Sequence, residues 1–379
     1  MGVHSDSALQ QAYKLIEQGE PAQAKVLLED ALTTDFDNTD IIFTARCCSY
    51  WVETFETLSE RNPYEQGEAL LSRWKQFTGL LEREDSPKAQ TVETFKRAVY
   101  SFALKAYQNA DDGRDFKMHA ELCKKIALCY KRLGSYETAK TYIEEANALV
   151  QGQAAILAEM ADCYDLCGDA KIAKLLFKEA FFIDAQKIDL SNLDSPLINS
   201  LISKVKDIGY SGSLLQEWIP VYGILLGLFN VKRQLRAQEV GRLKQDIYAK
   251  ENELKNPANN AELLTPRLIN MYLWLIDYYL ITKESMKKIQ EVTLKLKILD
   301  PVLFKEYFDY LTDWSIEVKF KKMFTDSISR NIQGAKSISS NDSKKSLNAA
   351  EQLSRTIGNE VHSYIAYFGK DETDFKLLL

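Results

Sequence analysis

Little in this 379-residue chain breaks a helix: there are only 8 prolines and 16 glycines, the two residues that most disrupt helix interiors. Long helices joined by short turns are therefore expected. Histidine is scarce as well, at His4, His119 and His362. No glycine-rich phosphate loop and no serine in a nucleophile-elbow setting occurs, and the carboxylates are scattered along helical faces. These absences predict a protein that is not an enzyme. No pair of cysteines has the C-x-x-C spacing, which removes the common zinc and thioredoxin-like patterns. A basic stripe is missing too. Residues 1–187 hold 22 Lys+Arg against 30 Asp+Glu, and residues 188–379 hold 26 against 24, so nucleic acid is not an expected partner. The start, Met1-Gly2-Val3-His4-Ser5-Asp6, has neither a basic opening nor an apolar run, and Asp6 departs from the myristoylation pattern. A cytoplasmic protein with free thiols is the expectation.

What is present is a pattern that occurs twice. Tyr130, Gly134, Tyr136, Ala139 and Ala146 are followed, 34 residues on, by Tyr164, Gly168, Ala170, Ala173 and Ala180. Each copy predicts two amphipathic helices, at 120–132 and 136–149, then at 154–166 and 170–183. Gly134 and Gly168 fall where the first helix of each pair must stop. The alanines let two backbones approach, while Tyr130, Tyr164, Ile143 and Phe177 fill the space between them. One hairpin cannot bury such a face, so hairpins must stack. A weaker copy covers 5–38, where Gly19-Glu20-Pro21-Ala22-Gln23-Ala24 stands in for residues 134–139 and Ala31 for Ala146.

The period and these positions resemble the tetratricopeptide repeat. The resemblance implies an all-α solenoid of helical hairpins over 1–187, with repeats at 5–38, 120–153 and 154–187. It also implies a groove lined by the first helix of each pair, in which a peptide or helix of a partner protein is held. In that register Glu121, Lys124, Leu128, Lys131 and Arg132, with Ala155, Ala158, Asp162, Asp165 and Leu166, face the groove. Family members that capture chaperone carboxylates need an Asn and further bases, where this chain has Leu128, Ala155 and Glu159. That ligand is not expected. The competing reading is a solvated face on which Lys124 and Lys131 pair with Asp162 and Asp165, each exposed pair contributing under ~1 kcal/mol.

Between 39 and 119 the 34-residue phase is lost, although helical periodicity persists at 40–58, 64–83 and 88–109. Tyr64, Gly67, Leu71 and Trp74 suggest a degenerate second helix of a repeat. The solenoid is expected to be irregular there. The polar break Asp189–Pro196 is the expected domain boundary, followed by a helix near 196–208 and a C-terminal helical domain over 188–379.

Within that domain, Trp218 to Val231 carries no charge, contains Gly223-x-x-x-Gly227 and is followed by Lys232, Arg233 and Arg236. Three readings are open: a buried helix, a surface for self-association through Trp218, Gly223 and Gly227, or a membrane contact. Fourteen residues of helix span only ~21 Å against a hydrocarbon core of ~30 Å, which favours the buried helix. Residues 232–255 show a narrow stripe, Leu235, Val240, Leu243, Ile247 and Leu254, suited to packing as an outer helix or to pairing with a second copy. Residues 265–301 read as a divergent repeat or plain hairpin. Phe304, Tyr307, Phe308, Leu311, Trp314 and Val318 read as core, 337–343 as a loop, 344–367 as a final helix, and 374–379 as a tail.

Cys129 and Cys163 hold the same repeat position, which marks them as small core residues. Cys163 and Cys167, His119 and Cys123, and Cys47-Cys48 lie close in sequence, yet neither a metal nor a cofactor is expected. Two functions remain: a scaffold or adaptor that binds a partner in the groove, or a structural subunit of a larger complex that assembles through 214–255.

Overall fold

The structure, a computed structural model, describes residues 2–307 and 309, apart from residues 85, 112, 114 and 232. Phe308, Leu311, Trp314, Val318, the 337–343 loop, the 344–367 helix with His362, and the 374–379 tail lie outside the described residues. Among the described residues there is no strand. The architecture is all-α, made of helical hairpins in a solenoid-like arrangement, with an irregular middle. The chain divides into two compact units, at Gln216 and Glu217. The Asp189–Pro196 break is thus not a border between units but an internal part of the first.

The first unit comprises α1 (Gly2–Glu17), α2 (Pro21–Leu32), α3 (Thr39–Glu56), α4 (Pro63–Leu81), α5 (Ala89–Gln108), α6 (Phe116–Arg132), α7 (Tyr136–Leu149), α8 (Ala154–Leu166), α9 (Ala170–Asp184) and α10 (Pro196–Asp207). α6 pairs with α7, and α8 with α9, at the boundaries that the repeat predicts. Both hairpins turn in the same way. Gly134 and Gly168 take φ of 84° and 93°, and the next amide reaches back to the tyrosine carbonyl, Ser135 to Tyr130 at 2.9 Å and Asp169 to Tyr164 at 2.8 Å. This is the helix stop that glycine makes at low cost. Ala139, Ala146, Ala173, Ala180, Ile143, Phe177, Cys129 and Cys163 are buried, as small and complementary interior residues should be. Tyr130 and Tyr164 are only half-buried. Tyr130 stacks on Tyr142 at 5.5 Å, and the Tyr164 hydroxyl donates to Glu144 at 2.5 Å.

The irregular middle is organised by aromatic rings. Asn38 caps α3, its side chain accepting from the amides of Asp40 and Ile41, and Asn62 caps α4 just before Pro63. α3 packs on α2, α4 on α5, and α5 on both α1 and α6. α4 therefore begins a hairpin with α5, instead of ending one as its residues suggested. Trp51 is fully buried and meets Phe95 at 6.0 Å, Phe77 at 5.6 Å and Trp74 at 6.4 Å. Gly67 lets the Tyr107 ring lie where a Cβ would come within 2.4 Å of it.

The second unit contains most of α11 (Gly212–Leu225), then α12 (Ala237–Lys255), α13 (Ala261–Ile281) and α14 (Met286–Leu299). α13 lies between α12 and α14 and is buried on most faces. The α12 stripe, Val240, Leu243 and Ile247, is buried, and α12 packs on α13 as an outer helix. Phe304 and Tyr307 are buried, as expected of core.

The apolar run does not continue as one helix. α11 stops at Leu225, Gly227 takes φ of 71°, and the Phe229 amide donates to the Gly223 carbonyl at 2.7 Å. The Phe229 ring folds over Gly223, where a Cβ would stand 2.3 Å away. Gly223 and Gly227 consequently do not share a helix face, and Trp218, Ile219, Val221 and Phe229 are buried. No helix among the described residues is long and apolar enough to cross a membrane.

Two predictions follow from this packing. Trp51→Ala should destabilise the chain by about 3–5 kcal/mol, read as a fall in the urea midpoint by circular dichroism. Gly223→Leu should lower the melting temperature while light scattering returns the same molecular mass as the wild type. A change of mass with unchanged stability would mean that Gly223 lies in an interface.

Candidate interaction groove

The first helices of the two repeats, α6 and α8, lie side by side, and the positions assigned to the groove face each other only in part. Lys131 and Asp162 are fully buried. The Lys131 ammonium donates to Asp162 Oδ2 at 2.7 Å, to Glu159 Oε2 at 2.5 Å and to the Asn192 carbonyl at 2.8 Å. All three of its protons are thereby used. Lys124 instead pairs with Glu121 on its own helix at 2.6 Å, and the neighbouring Lys125 reaches Glu68 of α4 at 2.7 Å. Of the two expected cross-helix pairs, one forms, and it is buried where an exposed pair was expected.

The reason for the burial is the chain itself. Residues 188–197 run across the ends of α6 and α8 as a strap, with a 3-10 turn at Leu190–Asn192, and Ile188 and Leu193 are buried. The Asp162 carboxylate accepts from the amides of Asp194, at 2.9 and 3.0 Å to its two oxygens, and of Ser195, at 2.7 Å. Arg132 donates to the Ser191 carbonyl at 2.6 Å and pairs with Asp194 at 2.8 Å. Lys75 holds Asp189 at 3.0 Å, and Asp165 accepts from the Leu197 amide at 3.4 Å.

Ser195 is the N-cap of α10, and its own hydroxyl accepts from the Ile198 amide. Asp162 and Asp165 thus supply carboxylates to the start of a helix 32 or 33 residues further on, where the first amides have no partner within the helix and the helix dipole favours negative charge. Asp162 is fully buried and Asp165 half-buried.

The electrostatics of this cluster are unequal. One buried ammonium faces two carboxylates, and Asp162 also receives backbone amides, so Glu159 is the carboxylate in excess. Burial raises the Glu159 pKa, and the Lys131 ammonium only partly opposes this. Burial works against the charged form of Lys131, but Glu159 and Asp162 outweigh it and its pKa is raised. Asp194 is likewise pushed up by burial, against Arg132 and Lys131. Elsewhere, burial raises Cys47, Cys48, Cys129 and Cys163 to about 12, which holds them as thiols.

Two concave spaces adjoin the strap. One, of about 230 Å³, is lined by Lys124, Lys125, Leu128, Ala155, Ala158 and Glu159 with the strap on its far side. The other, of about 640 Å³, is lined by residues of both signs, among them Glu17, Glu93, Lys96, Arg97, Arg132 and Asp194. Leu128, Ala155 and Ala158 line the smaller space, next to the part the strap fills. Glu159, Asn192, Asp194 and Ser195 were not foreseen. The Ser195-Pro196 helix start was legible, but not the carboxylates that would cap it.

Substituting the two carboxylates should separate their roles. Asp162→Asn leaves the buried Lys131 charge with one carboxylate, Glu159, beside the Asn192 carbonyl, and should cost about 3 kcal/mol or more. Glu159→Gln should cost far less at neutral pH. Because the folded-state pKa of Glu159 is raised, the native chain keeps that proton to higher pH than the unfolded chain. Its contribution to stability therefore falls as pH rises from the ordinary glutamate range, ~4.3, through the raised value. Urea denaturation followed upward in pH from the ordinary glutamate value, ~4.3, should show a flatter profile for Glu159→Gln than for wild type.

The sequence matches no protein-family model and no curated protein, so the functional reading rests on these residues.

Proposed function

We propose that this chain is a non-catalytic scaffold of the tetratricopeptide-repeat type, which binds an extended or helical segment of a partner protein along α6 and α8. The observation that carries this reading is the strap. Groove side chains take hold of a main chain there, with Asp162 on amides and Lys131 and Arg132 on carbonyls. A surface that binds a peptide in this way is suited to binding a second one beside it, where the groove stays open between Leu128, Ala155 and Ala158. Lys124, Lys125 and Lys187 border that opening together with Glu159 and Asp189, and the small excess of positive charge favours an acidic ligand. The free cysteines support a reducing compartment such as the cytoplasm.

The strap also favours a second reading, a structural subunit of a larger complex. If the groove is filled in cis, the repeats are building blocks and no free peptide is captured. Trp218 and Gly223 are buried within the chain, whereas Leu226 and Tyr248 are exposed, so such a subunit would assemble through the exposed residues of 214–255 or through other faces.

Fluorescence anisotropy with labelled acidic, basic and apolar peptides tests the choice. The scaffold reading expects acidic peptides to bind, and Lys124→Glu with Lys125→Glu to weaken them at least about tenfold, ~1.4 kcal/mol, with the helical circular dichroism retained. Failure of every peptide, or equal binding by the double variant, would favour the structural subunit.

A further inference from the structure

The hairpin of α6 and α7 brings together three side chains that the groove does not use. His119 and Cys123 stand one turn apart on α6, and Glu145 reaches them from α7. The His119 Nε2 and a Glu145 oxygen are 3.2 Å apart, and with the Cys123 sulfur the three ligand atoms all lie within 4.8 Å of one another. Ligands bonded at ~2.0–2.3 Å to one tetrahedral zinc lie roughly 3.3–3.8 Å from each other. The cluster is thus within small side-chain rotations of a coordination site. Its placement is graded from inside to outside: Cys123 is 2% exposed, whereas the His119 and Glu145 side chains are 41% and 49% exposed. A metal seated here would have the sulfur beneath it, the imidazole and carboxylate at its rim, and solvent at the fourth position.

We propose that His119, Cys123 and Glu145 form a binding site for a divalent transition metal, with Zn²⁺ the ion that the donors fit best. One nitrogen, one sulfur and one carboxylate oxygen suit a borderline-soft cation and suit magnesium or calcium poorly. On binding, the Cys123 S–H bond breaks, the proton leaves to solvent, and the thiolate electron pair forms the metal–sulfur bond. The imidazole binds neutral through Nε2, and the carboxylate adds the second negative charge, so the cation is neutralised by its own ligands. Because the ligands come from both helices, the metal would clip α6 to α7, and its binding energy would appear as added stability of the first unit. This site is separate from the groove and does not depend on how the groove is used.

The test uses the full chain, freed of metal by chelation, with Zn²⁺ in calorimetry and Co²⁺ in absorption spectroscopy. The expected result is one Zn²⁺ per chain, proton release whose heat follows the buffer, and a thiolate-to-cobalt charge-transfer band. Cys123→Ala should abolish the band. His119→Ala and Glu145→Gln, which change only the exposed rim, should each weaken binding at least about tenfold with the fold retained. Failure to bind either ion, or binding that the two rim variants leave unchanged, would overturn the proposal.

Discussion

The joining of the two repeats to the strap depends on the buried ammonium of Lys131. Lys131 leaves α6 with no access to water, and an uncompensated charge there would cost several kcal/mol. Its three protons must therefore meet acceptors, and α8 supplies only two of them. The third is the carbonyl of Asn192, so the cluster is complete only when the strap is in place. The dependence runs in the other direction too. The amides of Asp194 and Ser195 are taken up by Asp162, and α10 begins where that carboxylate sits. Two repeats, a strap and the next helix are in this way joined through one charge cluster.

Buried ion pairs are weak sources of stability against apolar groups of the same volume, and their best-attested role is to fix register. That is the role we assign to this one. Ile188 and Leu193 supply the apolar burial that holds the strap down, but an apolar contact tolerates sliding by a residue. A carboxylate that must meet two particular amides does not. The strap fills one end of the face formed by α6 and α8, and the space left open lies beside Lys124, Leu128 and Ala155.

Much of the fold was legible because it is periodic. The stops at Gly134 and Gly168, the alanines inside the hairpins, the shared core position of Cys129 and Cys163, and the starts at Pro63 and Pro196 all follow from local spacing. What could not be read depends on contacts without a period. Asp162 looked like an exposed groove charge, since nothing in its neighbourhood says that residues 32 and 33 positions later will return to it. Gly227 looked like a helix residue because a small residue four positions from another suits close helix packing equally well. Only the ring of Phe229, folded over Gly223, shows that the helix has already ended. The third member of the His119 and Cys123 pair was missed for the same reason: Glu145 is 22 residues away and belongs to the opposite helix of the hairpin.

The most direct test of the strap is amide hydrogen exchange at Asp194 and Ser195, residue by residue, in the wild type and in Asp162→Asn. If the carboxylate holds the strap, both amides exchange slowly in the wild type and fast in the variant, while amides within α6 and α8 stay protected in both. Fast exchange of Asp194 and Ser195 in the wild type, beside protected helices, would contradict it: the strap would then be open, and Lys131 would need another partner.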